Sequence, residues 1–110
     1  MIPEMEKVVS ELSALRVEVE DMCEDLNPDL ITADSAPSMN SELSKIEVAR
    51  NTFRNSVRKL LDTFASQLSQ TEAEQWKANM KAVVDKVNTH KMTVLAKVNK
   101  LLPSSSNMTV

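Results

Sequence analysis

Apolar residues recur at helical spacing in three separate runs of this chain. The central run covers residues 39–69, where apolar side chains follow steps of three and four with a gap at Arg50. Two further apolar residues, Leu61 and Leu68, widen this stripe enough for it to contact two neighbouring helices. The pattern therefore predicts a long central helix over residues 39–69, with the rest of the chain supplying a neighbour on each side.

The first run, over residues 3–26, has the most regular spacing. Its steps of three and four continue without a break through Met5, Val8, Leu12, Leu15, Val19, Met22 and Leu26. Such a seam is typical of helices that pack with coiled-coil geometry. This helix is expected to end before Pro28, because the residue that precedes a proline is disfavoured in helical backbone geometry.

A third helix is predicted over residues 72–102. Thr71 and Glu74 match a capping box, in which each side chain accepts a hydrogen bond from the backbone N–H of the other residue. Pro103 ends the helix, and residues 103–110 are expected to form a flexible tail.

A long loop is predicted between the first two helices. Residues 27–38 contain two of the four prolines and show no helical period. Ser38, at the end of this segment, is expected to cap the central helix with its hydroxyl group.

The three helices predict an all-α fold in a single domain over residues 1–110. The expected architecture is an antiparallel, up-down-up three-helix bundle with coiled-coil-like heptad seams. In the alternative, the second and third helices form a hairpin, and two such hairpins dimerise into a four-helix bundle. The composition supports the helical class, because the 110 residues include no glycine, which disfavours folds that need left-handed turns.

The sequence also indicates where the protein acts. It shows no signal-peptide pattern and no apolar run long enough to span a membrane, and Cys23 is its single cysteine. Because a lone thiol suits a reducing compartment, the expected location is the cytoplasm, with the nucleus as the alternative. Cys23 is expected to act as a small apolar side chain beside the first seam rather than as a reactive thiol.

Charge is distributed unevenly along the chain, although the formal net charge is only −3. Acids predominate in residues 1–26, and bases predominate after residue 40. Four carboxylates follow one flank of the first seam and are termed the acidic edge: Glu4, Glu11, Glu18 and Asp25. Because opposite charges help to select helix neighbours, the acidic edge is expected to lie against bases of the second and third helices.

The regular first seam favours a non-catalytic protein–protein interaction or self-assembly module, either free-standing or part of a longer chain. The residues expected to carry the interaction are Leu12, Leu15 and Val19 on the seam and Glu11 and Glu18 on the acidic edge. The expected partner is a second copy of the chain or another helical protein.

The alternative function is the binding of nucleic acid or another polyanion. Arg50, Arg54 and Arg58 recur at every fourth residue of the central helix, with Lys59 beside them, so these side chains would form a basic face. Many acids elsewhere in the chain compete for the same bases. Nucleic-acid binding is therefore ranked below protein binding.

Catalysis and cofactor binding find no support in the sequence. The chain lacks the glycine-rich loop that cradles phosphates. His90, its single histidine, has no second histidine or cysteine at the spacing of a metal site, and it is expected to be half-buried and hydrogen-bonded. Arg50, which interrupts the central seam, is expected to extend towards the acidic edge. We therefore predict no enzymatic activity, no cofactor and no metal ion.

Overall fold

The computed structural model describes residues 3–102, and within that range the chain consists of three long helices joined by turns. The helices are α1 (Pro3–Asp25), α2 (Met39–Thr63) and α3 (Gln70–Leu101). They pack against one another, and no strand occurs in this part of the chain. The predicted all-α class is therefore confirmed, while the tail predicted at residues 103–110 lies outside the described residues.

α1 has nearly the predicted bounds, but the two rows of its seam are not equally buried. Met5, Leu12 and Val19 lie in the core and are at most 2% exposed. The second row is only half-buried against the core and is termed the outer row of α1: it comprises Val8, Leu15 and Met22. The helix is therefore turned so that one row of its seam lies at the edge of the protein interior.

The segment between α1 and α2 folds into two short 3₁₀ turns, Pro28–Leu30 and Ala36–Ser38. Ile31 and Ala36 are buried, and they form a second apolar cluster with side chains of α2 and α3. No residue between 3 and 102 has a positive φ angle, so the turns that join the helices are built from right-handed and extended backbone.

Ser38 precedes α2 as predicted, but its side chain does not cap the helix. Its backbone is already in the right-handed helical region, with φ −84° and ψ −9°. A capping hydroxyl normally requires extended backbone at this position. The 3₁₀ turn that runs directly into α2 therefore removes the geometry that the prediction assumed.

α2 ends at Thr63 rather than at the predicted residue 69. Phe64 leaves helical geometry with φ −112° and ψ 29°, and its carbonyl accepts hydrogen bonds from the backbone N–H groups of Gln67 and Leu68. Leu68 then packs against the core. Because this turn keeps an apolar side chain where a continuous helix would also have placed one, apolar spacing alone did not locate the break.

α3 begins at Gln70, with Ser69 as its N-cap. The Ser69 Oγ accepts a hydrogen bond from the backbone N–H of Glu72 at 3.1 Å, and Glu72 Oε1 accepts one from the backbone N–H of Ser69 at 3.1 Å. This pair forms the capping box, so the predicted box of Thr71 and Glu74 is wrong. The turn after α2 leaves Ser69 in extended backbone, with φ −70° and ψ 160°, which is the geometry that a cap requires.

The core is centred on α2, whose inward side chains pack with buried residues of both other helices. Phe53 and Val57 are completely buried, and Leu60 is 1% exposed. Burial of one such side chain contributes about 1.5–3 kcal/mol relative to leaving it exposed. α1 and α3 contact each other less extensively than either contacts α2, so both are held mainly through the central helix.

Substitution of Ser69 tests the capping geometry. Ser69→Ala removes the hydroxyl that accepts from the Glu72 backbone and should lower the free energy of unfolding by about 1 kcal/mol. The matched control, Thr71→Ala, removes an exposed hydroxyl inside the first turn of α3 and should change the free energy by less than about 0.5 kcal/mol. Urea denaturation followed by circular dichroism measures both values. A larger loss in Thr71→Ala than in Ser69→Ala would contradict the observed cap.

Candidate functional site

A groove of about 290 Å³ lies between α1 and α2, near the C-terminal end of α2. It is termed the α1–α2 groove, and its lining residues are Val8, Glu11, Leu12 and Leu15 from α1, Ser56, Lys59, Leu60 and Thr63 from α2, and Phe64 from the following turn. It therefore brings together four residues that the sequence singled out: Glu11, Leu12, Leu15 and Lys59.

The α1–α2 groove has an apolar floor and two walls of different polarity. Buried leucine side chains from both helices close the floor. The α1 wall consists of Val8 and Leu15, which belong to the outer row and are half-buried. The α2 wall carries the polar side chains of Ser56 and Thr63. Apolar groups on one wall thus face polar groups on the other.

The α1 wall continues towards the C-terminal end of α1. Residues seven apart lie on nearly the same face of a helix, so Met22 extends the row formed by Val8 and Leu15. A smaller depression of about 170 Å³ marks the same helix interface and is lined by Met22, Asp25, Leu26, Glu42 and Ile46. The outer row therefore leaves apolar surface partly exposed along much of the α1–α2 interface.

The two rims of the groove carry opposite charges. Glu11, which belongs to the acidic edge, and Lys59 are both exposed at its mouth. Neither side chain takes part in the ion pairs formed within residues 3–102. Both charges are therefore available to a molecule that approaches the groove.

The acidic edge forms no ion pairs with bases of α2 and α3 within residues 3–102, and the prediction that it lies against such bases is met only by Glu11, which lines the same groove as Lys59. Its four carboxylates are exposed, and none joins an ion pair in the described part of the chain. The pair that links α1 to α3 uses Glu20 instead, whose carboxylate lies 3.3 Å from Arg16 Nε and 3.5 Å from Lys86 Nζ. Arg16 and Glu20 are four residues apart, and this helical ion-pair spacing is the sequence signal that the prediction missed.

Two of the predicted interaction residues lie outside the groove. Val19 is 1% exposed and belongs to the core, and Glu18 is exposed on α1 but does not line the groove. Leu12 lines the floor but is itself 1% exposed. Leu15 is therefore the predicted seam residue that another molecule can reach.

The predicted anion-binding residues do not share one groove. Arg50 turns towards α3, where its Nη1 donates a hydrogen bond to Asn88 Oδ1 at 2.5 Å, so its predicted extension towards α1 is wrong. Arg58 lines a separate groove of about 440 Å³ at the junction of α2 and α3, whereas Lys59 lines the α1–α2 groove. The Nε of Arg54 is buried and makes no hydrogen bond within residues 3–102. Polyanion binding stays a prediction.

A shallow depression between α1 and α3 contains Cys23, Lys86 and His90. Because a carbonyl can only accept, His90 Nε2 donates the 2.7 Å hydrogen bond that it shares with the backbone oxygen of Leu26. This bond satisfies a carbonyl just past the end of α1, and the predicted half-buried, hydrogen-bonded histidine is confirmed. Burial raises the pKa of the Cys23 thiol, which is 3% exposed, and the charge of Lys86 opposes part of this increase.

Comparison with known proteins does not assign the chain to a family. No protein-family model, curated protein or solved structure matches it. Across residues 3–102, no helix combines the length and apolar character needed to cross a membrane, and no group of three or more His, Cys, Asp or Glu side chains is placed to hold a metal ion. Function is therefore inferred from the shape and charge of the α1–α2 groove.

The raised pKa of Cys23 predicts a loss of stability at alkaline pH. A thiol in the unfolded chain has a pKa of about 8.5, so above that pH the unfolded state releases a proton that the folded state retains. The free energy of unfolding should therefore fall as the pH rises from about 7 to about 9.5, and the contribution of this thiol to the decrease should vanish in Cys23→Ala. Urea denaturation of both proteins across this range measures the difference. Curves that stay parallel would contradict a raised pKa.

Proposed function

We propose that this chain is a non-catalytic assembly module, in which the α1–α2 groove packs against a helical surface of another protein molecule. The observation that carries the proposal is the outer row of α1, which leaves Val8, Leu15 and Met22 half-buried at heptad spacing. Burial of apolar surface contributes about 25 cal/mol per Å² removed from water. A partner that covers this row would remove its remaining exposed apolar surface from water.

The charged rims of the groove suit the same role. Glu11 and Lys59 are exposed on opposite sides of an apolar floor. In helix pairing, an apolar seam supplies affinity, and the flanking charges select the orientation and identity of the partner. Recognition of an amphipathic helical face in a groove uses this combination of contacts.

We further infer that the three helices form an antiparallel, up-down-up bundle with heptad seams. Along the contacts between α1 and α3, residue numbers increase on both helices, so these two helices are parallel. Along the contacts between α2 and α3, residue numbers increase on α2 while they decrease on α3, so these two helices are antiparallel. The supporting contacts are Arg16–Asn79, Glu20–Lys86 and Leu26–His90 for the first pair, and Glu47–Lys91 and Arg50–Asn88 for the second.

A cytoplasmic or nuclear location fits the proposal, because a lone buried thiol suits a reducing compartment.

Leu15→Asp tests assembly through the groove. The substitution places a carboxylate on the α1 wall at a half-buried position, so the cost of removing this charge from water should oppose assembly while the core remains in place. Leu12 is less suitable, because it is 1% exposed and a charge there would disrupt the core. Sedimentation velocity over a range of concentrations should show self-association of the wild-type chain and a monomer for Leu15→Asp.

Val17→Asp is the matched control. Val17 is also an apolar residue of α1, but it is 56% exposed and does not line the groove. This variant should associate as the wild-type chain does, and circular dichroism should show unchanged helix content in both variants. A Leu15→Asp chain that associates as well as Val17→Asp would contradict the proposal. A wild-type chain that stays monomeric at every accessible concentration would exclude a second copy as the partner and leave only a different helical protein.

A further inference from the structure

The α1 rim of the α1–α2 groove is acidic over a longer distance than the groove itself. The α1 rim is the acidic edge, which runs along the whole helix. On α2, Lys45 and Lys59 are fourteen residues apart, which places them on nearly the same face of the helix. Lys45 is bound to Glu42 of its own helix at 3.3 Å. Lys59 therefore remains the cation of this rim that has no ion pair within residues 3–102.

We propose that the groove is occupied by a second copy of this chain, and that the two α1–α2 faces pack about a two-fold axis parallel to the helices. The inference rests on the assembly through this groove proposed above. In this arrangement, α1 of each copy lies over α2 of the other, and Glu11 of each copy faces Lys59 of the other. Each contact occurs twice, so assembly stops at a dimer.

The charges of the groove select this axis. Glu11 and Lys59 line the same groove, so they lie at a similar height along the helices, and rotation about a parallel axis preserves that height. Both copies then present an acid to a base. A two-fold axis perpendicular to the helices would instead place α1 over α1 and bring two acidic edges together, which like-charge repulsion disfavours.

The sizes of the side chains select the same axis. On the α1 wall, Leu15 is large and apolar, and on the α2 wall, Ser56 is small, whereas Val8 and Thr63 are similar in size. Ala49, seven residues before Ser56 and half-buried, is a further small residue of α2. When α1 lies over α2 of the other copy, Leu15 meets the small side chain of Ser56, and the two can interdigitate. The perpendicular axis would instead place the two α1 walls against each other and leave space between the α2 walls at Ser56.

A charge exchange tests the dimer. Glu11→Lys and Lys59→Glu each replace two attractive contacts per dimer by two repulsive ones, and each should weaken dimerisation by about tenfold at low salt. The double variant restores opposite charges and should dimerise within about threefold of the wild-type chain. Asp21→Lys is the control for Glu11→Lys, because it makes the same change in net charge at an exposed position of α1 outside the groove. Sedimentation velocity at low and high salt measures all four variants.

Disulfide trapping tests the orientation directly. Leu15→Cys and Ser56→Cys are made separately, each together with Cys23→Ala, so that each chain has one thiol. When the two proteins are mixed and oxidised, the parallel axis predicts that Leu15→Cys crosslinks to Ser56→Cys in preference to either protein crosslinking with itself.

The outcomes separate this inference from the assembly proposal. Two results would overturn the two-fold dimer but leave assembly through the groove in place. In the first, self-association depends on Leu15 but not on the exchanged charges. In the second, crosslinks join each single-thiol protein mainly to itself. A wild-type chain that does not self-associate would overturn the dimer, whereas the assembly proposal would fail if no helical protein bound through the groove.

Discussion

The packing of α2 between α1 and α3 is the interaction on which the rest of the structure depends. α2 supplies Phe53, Val57 and Leu60, which are almost completely removed from water, and it contacts both neighbours more extensively than they contact each other. α1 is therefore held mainly from one side. A regular heptad seam on a helix held in this way buries one row fully and leaves the second row at the surface, and this is how the α1–α2 groove arises.

The apolar spacing predicted the helices well because it reports burial directly. On α2 the steps of three and four identified a set of residues that are all buried: Met39, Leu43, Ile46, Phe53, Val57 and Leu60. Arg50, which interrupts the apolar spacing, is not part of the core, and its side chain binds Asn88. For the site, the same spacing singled out Leu15, and the charge pattern beside it singled out Glu11.

The remaining features depend on choices that spacing does not resolve. Ser69 with Glu72 and Thr71 with Glu74 have the same separation, and the turn after α2 decides which pair closes. A position on the flank of a seam likewise specifies a face of the helix but not which helix packs against that face. The sequence therefore does not show that Arg50 binds Asn88 or that Glu20 pairs with Lys86. The sequence predicted a base near Glu11 but not that Lys59 would lie across the groove from it, because that requires knowing which flank of α2 faces α1.

The absence of positive φ angles between residues 3 and 102 affects how the connections tolerate substitution. Where a turn uses left-handed backbone, most replacements of its glycine carry a steric penalty, and the turn can change only slowly. Here backbone and side-chain hydrogen bonds hold the connections, as when the Asn27 side chain accepts a hydrogen bond from the backbone N–H of Asp29 at 2.9 Å. No connection within residues 3–102 therefore contains a position whose backbone requires glycine, so single substitutions there do not carry the left-handed steric penalty.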